Sequence, residues 1–435
     1  MRPSPPRRWT TFRLQTLGAA LAVALAPTFA LADDWPQYRG PDRTGISAET
    51  GLLTDWPDDS GPTELWRQPI GSAFTGLSVV GEALYTAEST EEGEFILRLD
   101  AKTGAEVWRA RIADRYTNNF GDGPRSTPTV VGDALYVMSA NGRLVSLATA
   151  DGAERWAIDM METFGAEQPR FGFSPSPLVL DGKLYVETGG ADGKAVIAVD
   201  AGSGEVLWQA GDSPAAFSSP IHVTLADTPQ LVVLNSDDVQ GLGMDGSVLW
   251  EIPFAPGNGV KPAMPIFLPP DKIFVSASYD IGAMLVQVAK TADGWQASEV
   301  WGNRVMRNHF NTSVLIDGHL YGFDNSALKC IDAATGEQRW AKRGGLGKGS
   351  LVAADGHLVV LSETGKLLIV EATPEEYREK ASAPVLSGRC WTSPTLAHGT
   401  LYLRNREEIV ALDLANAPAP APAAEPASEA SDTRR

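Results

Sequence analysis

Along residues 126–156, hydrophobic and polar positions alternate in short bursts separated by turn signals: STPTVVGDALYVMSANGRLVSLATADGAERW. A strand marked by Pro128 leads to Gly132. A second alternates through Ala134-Leu135-Tyr136-Val137, Asn141-Gly142 turns the chain, and a third runs from Leu144 to Leu147. After the Asp151-Gly152 turn a last short strand ends on Trp156. Strands this short, each a tight turn from the next, pair as hairpins in series, and four of them make one blade of a β-propeller.

The unit recurs along the chain. Trp66, Trp108, Trp156, Trp208, Trp250, Trp301 and Trp340 are spaced by 42, 48, 52, 42, 51 and 39 residues, the period of propeller blades. Gly104, Gly152, Gly204, Gly246 and Gly336 each precede a Trp by four residues, as in KTGAEVW and ATGEQRW. The glycine supplies the positive φ of a turn, and the indole ends the outer strand where it can pack between blades. Inner-strand openings number eight: Thr75, Ser126, Ser174, Ser218, Pro262, Asn311, Gly349 and Thr392 each start one. The eighth copy ends at Leu412-Asp413-Leu414 without a Trp strand, whereas Glu64-Leu65-Trp66 has no blade before it. Joined, the two complete one blade and close the ring without a long free edge. The reading is an all-β chain: an eight-bladed β-propeller of four-stranded antiparallel blades over residues 63–414, closed by its N- and C-terminal strands. The seventh copy lacks its Trp, and a helical turn is expected at Pro374 to Lys380.

The flanks differ in pattern. Residues 1–32 read as a signal peptide, with Arg2, Arg7, Arg8 and Arg13, an apolar run from Leu17 to Ala26, and a small-residue cleavage site at Ala30-Leu31-Ala32. Residues 33–62, rich in Gly, Pro and Asp, read as a strap anchored by Trp35, Tyr38 and Trp56, or as a cover for the channel mouth. Residues 415–435 form an Ala/Pro-rich tail expected to be disordered. Loss of residues 1–32 takes the formal charge from −18 to −22, which argues against nucleic acid and against an anionic membrane surface. No Cys stands directly after the cleavage site, so the expectation is an exported protein of the periplasm or exterior, soluble, monomeric and without a membrane anchor. Cys330 and Cys390 fall in blades six and eight and read as free buried thiols.

Candidate chemistry gathers on one face. Connections from each outer strand to the next inner strand ring the channel mouth there, and the longest span 110–125, 158–173 and 253–261. The residues just before the inner strands are Phe74, Arg125, Phe173, Phe217, Lys261, Phe310, Lys348 and Trp391. Such a crown suits a flat aromatic or anionic ligand through stacking and charge-assisted hydrogen bonds; equally, its aromatics can plug the channel. Arg125 and Arg170 both end long loops (DGPR, EQPR) and are the leading binding residues, or else loop anchors. His319, His357 and His398 lie in turn copies, and no His/Cys/Asp cluster has metal-ligand spacing. There is no GxSxG, P-loop or dinucleotide fingerprint.

The recurring SxP, GxxLY, LxALDxxTG and W elements resemble the PQQ-type repeat of the eight-bladed family that contains the quinoprotein dehydrogenases and the outer-membrane assembly lipoprotein BamB. WPQYRGPDRTG and GDGPRSTP resemble exported BamB-like propellers labelled PQQ-binding-like. The BamB side of the resemblance implies a non-catalytic scaffold or binding module without a cofactor, acting on an envelope protein or polymer partner. The dehydrogenase side implies an alcohol-oxidising enzyme with PQQ and calcium at the channel mouth. There the quinone would stack on Trp391 or on a Phe such as Phe217 or Phe310, with Arg125, Arg170 and Lys348 as anion partners and Asp122 as the candidate metal carboxylate. The chain lacks the adjacent cysteines of quinoprotein alcohol dehydrogenases and the lipid-bearing N-terminal cysteine of BamB. A sugar-polymer binder would use the same exposed aromatics.

Overall fold

The computed structural model describes residues 33–56, 60–257 and 259–415. The expected signal peptide and all but the first residue of the tail lie outside them. Eight four-stranded antiparallel sheets form the ring, seven of them built in chain order from an inner to an outer strand. Blade one comprises Ser78–Val80, Ala83–Thr90, Gly93–Asp100 and Glu106–Ala113. Blade eight takes three strands from the C-terminus (Thr395–Ala397, Thr400–Arg404, Glu408–Asp413) and its outer strand, Glu64–Pro69, from the N-terminal side. That pairing runs from Glu64 opposite Leu412 to Pro69 opposite Glu408, with an Arg67–Glu408 ion pair of 2.8 Å across it.

Neighbouring blades are joined by a repeated joint. The indole Nε1 of Trp66, Trp108, Trp156, Trp208, Trp301 and Trp340 donates to a backbone oxygen of the next blade, at 2.8–3.2 Å. In five of the six the ring lies under the next blade's turn glycine. A Cβ on Gly204 would come 2.8 Å from Trp156, and Gly104, Gly152, Gly246 and Gly336 meet their tryptophans as closely. These glycines therefore answer two demands, a positive φ and the absence of a side chain over the indole. In every blade the outer strand carries a β-bulge at the residue before the Trp position. The bulge re-aims the next side chain: it turns the Trp into the blade interface and leaves Leu65, Val107, Leu207 and Val300 in solvent. A Tyr or Phe of the blade's own second strand packs against the indole in six blades, with centroids 5.9–6.1 Å apart.

A second set of joints circles the channel. Ser78 Oγ donates to Pro128 O at 2.6 Å, Thr129 Oγ1 to Pro177 O at 2.6 Å, and Thr395 Oγ1 to Leu77 O at 2.8 Å. Main-chain amides answer from the neighbouring blade: Gly76 to Thr127 Oγ1, Thr127 to Ser176 Oγ, and Ser176 to Ser219 Oγ. Here the SxP motif finds its reason. The hydroxyl next to the proline ties blade to blade, Ser126 Oγ accepts from Met138 N of its own blade, and the carbonyl of the proline or of its counterpart accepts from the neighbouring blade.

Blade seven corrects one expectation. Residues 374–378 form no helix, and Glu379–Pro384 is an ordinary outer strand with Ala381 at the Trp position. Trp56 of the strap is buried in the same cluster as Ala381 and Ala383 and donates Nε1 to Ser382 O at 3.3 Å. The strap crosses the channel beforehand. Trp35 pairs with Val79 of blade one, Pro36 O accepts from Val130 of blade two, and Ser47 N donates to Ala353 O of blade seven.

Two substitutions separate the demands on the turn glycine. Gly204 (φ +76) sits on Trp156, whereas Gly182 (φ +75) has open space around its Cβ position. Gly182→Ala should cost only the left-handed backbone penalty, about 1 kcal/mol. Gly204→Ala should cost about 1–3 kcal/mol more through overpacking of the joint. Chemical unfolding of both variants measures the difference; equal losses would refute the packing role. Deleting Glu64 to Arg67 should lower the melting temperature of the whole ring, and an unchanged value would refute closure by this strand.

Candidate functional site

The loops between blades meet over the channel in a cup of about 220 Å³. Its wall is two arcs of touching rings. One runs Phe74, Trp391, Phe310, His309 and Tyr279, with successive centroids 5.5, 4.9, 5.1 and 5.2 Å apart. The other runs Phe120, Phe171 and Phe217, at 5.4 and 5.8 Å. Tyr38 of the strap also lines it, as do hydroxyls of the channel joints such as Thr127, Ser176 and Ser219.

The structure brings Arg125, Phe217, Phe310, Lys348 and Trp391 together on this wall, with Phe74. It does not bring Arg170 there; that side chain is exposed, its guanidinium 5.2 Å from the Phe171 ring, and its carbonyl accepts from Asn118 Nδ2 at 3.0 Å. Two members of the crown read from the sequence are corrected. Phe173 is buried in the core of blades two and three, beneath Gly142, and Phe171 takes its place at the cup. Lys261 is fully buried, and its ammonium donates to the carbonyls of Phe254 at 2.6 Å and Ala255 at 3.2 Å and to Ser236 O, which closes the loop of residues 253–261. Burial pushes its pKa down to about 8. Sequence reasoning missed Tyr38, Phe120, Phe171, Tyr279 and His309. Tyr279 and Phe120 are about half exposed in loops, a weak signal, but FGF at 171–173 offered two aromatics for one position.

Cations and carboxylates around the wall already have partners, mostly carbonyls, rings and N–H groups. Arg125 donates Nη2 to Gly121 O at 2.7 Å and Nη1 to Gly123 O, and lies over Phe74 and Tyr116 at 5.4 and 4.7 Å. Arg389 stacks on Trp391 at 4.4 Å and donates to Phe120 O at 2.9 Å, which ties the two arcs together. Glu363 accepts from Trp391 Nε1 at 2.8 Å and from Lys348 N at 3.0 Å. Burial, and then the charge of Lys348, lower the His309 pKa to about 4. The ring is thus neutral at pH 7 and accepts from Lys348 Nζ at Nε2, 3.1 Å away. Its proton stands on Nδ1, which has no hydrogen-bond partner among the described residues. Asp122 stands outside the cup; it pairs with Arg115 at 2.9 Å and accepts from Asn118 N at 2.9 Å. Beside the site, the fully buried Glu94 accepts from Ala140 N at 2.9 Å, and burial raises its pKa to about 7. The turn histidines are half-buried; His319 and His357 bond their own turns and His398 meets Asp34 of the strap at 3.0 Å. Cys330 and Cys390 are free and buried.

Geometry and repeat define an eight-bladed β-propeller with an aromatic cup over its channel. A family model described as outer membrane protein assembly factor BamB matches residues 92–342 and 324–418, and the chain belongs to that family. It is 26% identical over 181 residues to the outer membrane protein assembly factor BamB of Moranella endobia, covering 38% of this chain and 41% of that protein. It is 27% identical over 180 residues to the quinohemoprotein alcohol dehydrogenase ADH IIB of Pseudomonas putida, covering 39% of this chain and 24% of that one. The chain thus spans less than half the length of these two relatives. Among solved structures, BamB from Moraxella catarrhalis superposes with a TM-score of 0.58 at 14% identity, over 82% of this chain and 98% of that one, a likeness of fold.

The Glu94 shift has a signed consequence. A carboxyl whose pKa rises from 4.5 to about 7 on folding holds an extra proton in the folded state between those values. Its contribution to stability is therefore complete below pH 4.5 and lost as pH rises through 7, roughly 3 kcal/mol in all. Glu94→Gln, which keeps an oxygen for Ala140 N, should remove that fall. Urea unfolding at pH 5 and pH 8 should then show the variant gaining on the wild type at the higher pH; parallel pH profiles would refute it.

Proposed function

We propose that the chain is an exported propeller that serves as a binding module in the cell envelope, holding an apolar or aromatic segment of a protein or polymer partner in the cup. The observation that carries this reading is the cup itself. Its wall is aromatic nearly all round, and two of its rings, Phe217 (φ 78) and Tyr279 (φ 53), stand on left-handed backbone. That conformation is uncommon for bulky residues, and strain of this kind gathers where a side chain must be held for contact. Membership of the BamB family supports an envelope partner. No helix among the described residues is long and apolar enough to cross a membrane.

The likeness to a quinohemoprotein alcohol dehydrogenase makes PQQ with calcium the second reading. The flat walls, Arg125 and Lys348 suit a carboxylated aromatic ring. The donor set does not suit its calcium, which requires several oxygens aimed at the metal. The oxygens of Glu363 already accept from Trp391 and Lys348, and those of Asp122 from Arg115 and Asn118. These residues therefore support no quinone-dependent step.

A photo-cross-linking residue at Phe120 or Tyr279 should capture a discrete envelope partner in cells. Trp391→Ala and Phe310→Ala should each weaken that partner's binding at least about tenfold, or about 1.4 kcal/mol. Capture no stronger than from Val131, which is exposed at the end of the blade-two inner strand away from the cup, would sink the reading. In tryptophan fluorescence titrations, saturable calcium-dependent PQQ binding that is lost in Arg125→Ala and Trp391→Ala would favour the dehydrogenase reading instead.

A further inference from the structure

A second cavity, of about 290 Å³, lies on the same face beside the cup. One wall is the loop that joins blade one to blade two, through Asn118, Asn119, Gly121 and Asp122. The other is the turn at Arg406 and Glu407 between the second and third strands of blade eight, and Ser72 completes the lining. Gly121 separates this groove from the cup. A Cβ there would come 2.5 Å from Phe74 of the cup and 3.1 Å from Arg406 Nη1 of the groove.

The main chain around the groove is pinned. Asp122 accepts from Asn118 N and pairs with Arg115, both at 2.9 Å, and its carbonyl accepts from Ser72 Oγ at 3.2 Å. From the cup side, Arg125 Nη2 donates to Gly121 O at 2.7 Å and Arg389 Nη1 to Phe120 O at 2.9 Å. In the facing turn Asn405 Oδ1 accepts from Glu407 N at 2.7 Å and Glu408 N at 2.8 Å, and its Nδ2 donates to Ser387 O at 2.8 Å.

On this frame three polar side chains stand unengaged. The guanidinium of Arg406, the carboxylate of Glu407 and the carboxamide of Asn119 make no hydrogen bond or ion pair among the described residues. They are open to a ligand: Asn119 and Glu407 are exposed and Arg406 is half-buried. Each is a planar group with two polar atoms along one edge, donors in Arg, acceptors in Glu and one of each in Asn. Such edges match neighbouring hydroxyls on a sugar ring, which donate and accept alike. Fixing the backbone in advance lowers the ordering cost of binding there.

We propose that this groove binds a neutral saccharide, with Arg406, Glu407 and Asn119 on its hydroxyls. No apolar side chain lines it, so an apolar peptide segment finds no wall to cover. Glu407 and the chain's formal charge of −18 oppose an acidic sugar. Phe120, between Asn119 and Gly121, is about half exposed and offers its ring to the C–H face of the sugar. The site is independent of what the cup binds.

An array of immobilised neutral oligosaccharides, built from hexoses and N-acetylhexosamines, tests this with the mature protein. The expected result is saturable retention on at least one of them. Arg406→Ala should weaken it at least about tenfold, the loss of a charged hydrogen-bonding edge. Asn119→Ala and Glu407→Ala should weaken it less, and Trp391→Ala in the cup should leave it unchanged. None of the three groove side chains bonds to the rest of the fold, so these variants should keep the wild-type melting temperature, which separates lost binding from lost folding. Retention on no oligosaccharide, or retention undiminished in the groove variants, would overturn the proposal. Thermal stabilisation by glycylglycine with no oligosaccharide retained would assign the free charges to a zwitterion and overturn it as well.

Discussion

The ring stands on one joint used six times: an indole of one blade lies under the next blade's turn and donates to a carbonyl there. Everything local in the repeat serves it. The bulge one residue earlier turns the indole toward the interface, and the turn glycine leaves room for it in the five turns that carry one. A Tyr or Phe of the second strand backs the ring. The components occur together in most blades, although blade seven keeps the bulge without an indole and the Trp340 joint has no turn glycine. The hydroxyl joints around the channel repeat the logic at the inner end of each blade.

Where a blade departs from the pattern, another element compensates. Blade four keeps its indole but bonds it within the blade, to Gln230 Oε1 at 2.8 Å. Blade seven has no indole, and Trp56 arrives from the strap to pack against the outer strand that lacks one. The strap is thus part of the ring's closure as much as an addition to it. It crosses the inner strands, delivers Tyr38 to the cup, and ends beside the blade that joins the two ends of the propeller.

The periodic part of this architecture was legible in the sequence because it is made of short-range rules. Gly four residues before Trp, the eight similar inner-strand openings (some of them SxP) and the unmatched ends at Trp66 and Leu414 yield the blade count and the closure. The cup was legible only in outline. Repeat alignment places a residue at the channel mouth but does not aim its side chain once the loop is irregular. Phe173 and Phe217 occupy the same position in their repeats. Phe173 has an ordinary backbone and turns down onto Gly142, whereas the left-handed backbone of Phe217 turns its ring to the cup. Lys261 departs from its expected place for a related reason. A cation at a loop end can point outward to a ligand or inward to unpaired carbonyls, and only the path of residues 253–261 decides between them. Tyr38, Arg39 and Arg43 belong to no repeat at all, so periodicity has nothing to say about them.

A ring of eight mutually bonded blades is over-determined, and that allows it to hold strained residues at its axis. Left-handed backbone at a hairpin Asp or Asn is ordinary. At Phe217, Tyr279 and the strap's Arg39 (φ 65) and Arg43 (φ 57) it costs about 1–3 kcal/mol each, and the four share one location, above or within the channel. The joints at the rim and around the inner strands offset that cost, and of these only the inner hydroxyls also line the cup. This division of labour explains why likeness of fold says so little about activity in such proteins. The joints specify the propeller whatever it binds, while the axis, built from loop tips and a strap outside the repeat, is where one member can differ from another.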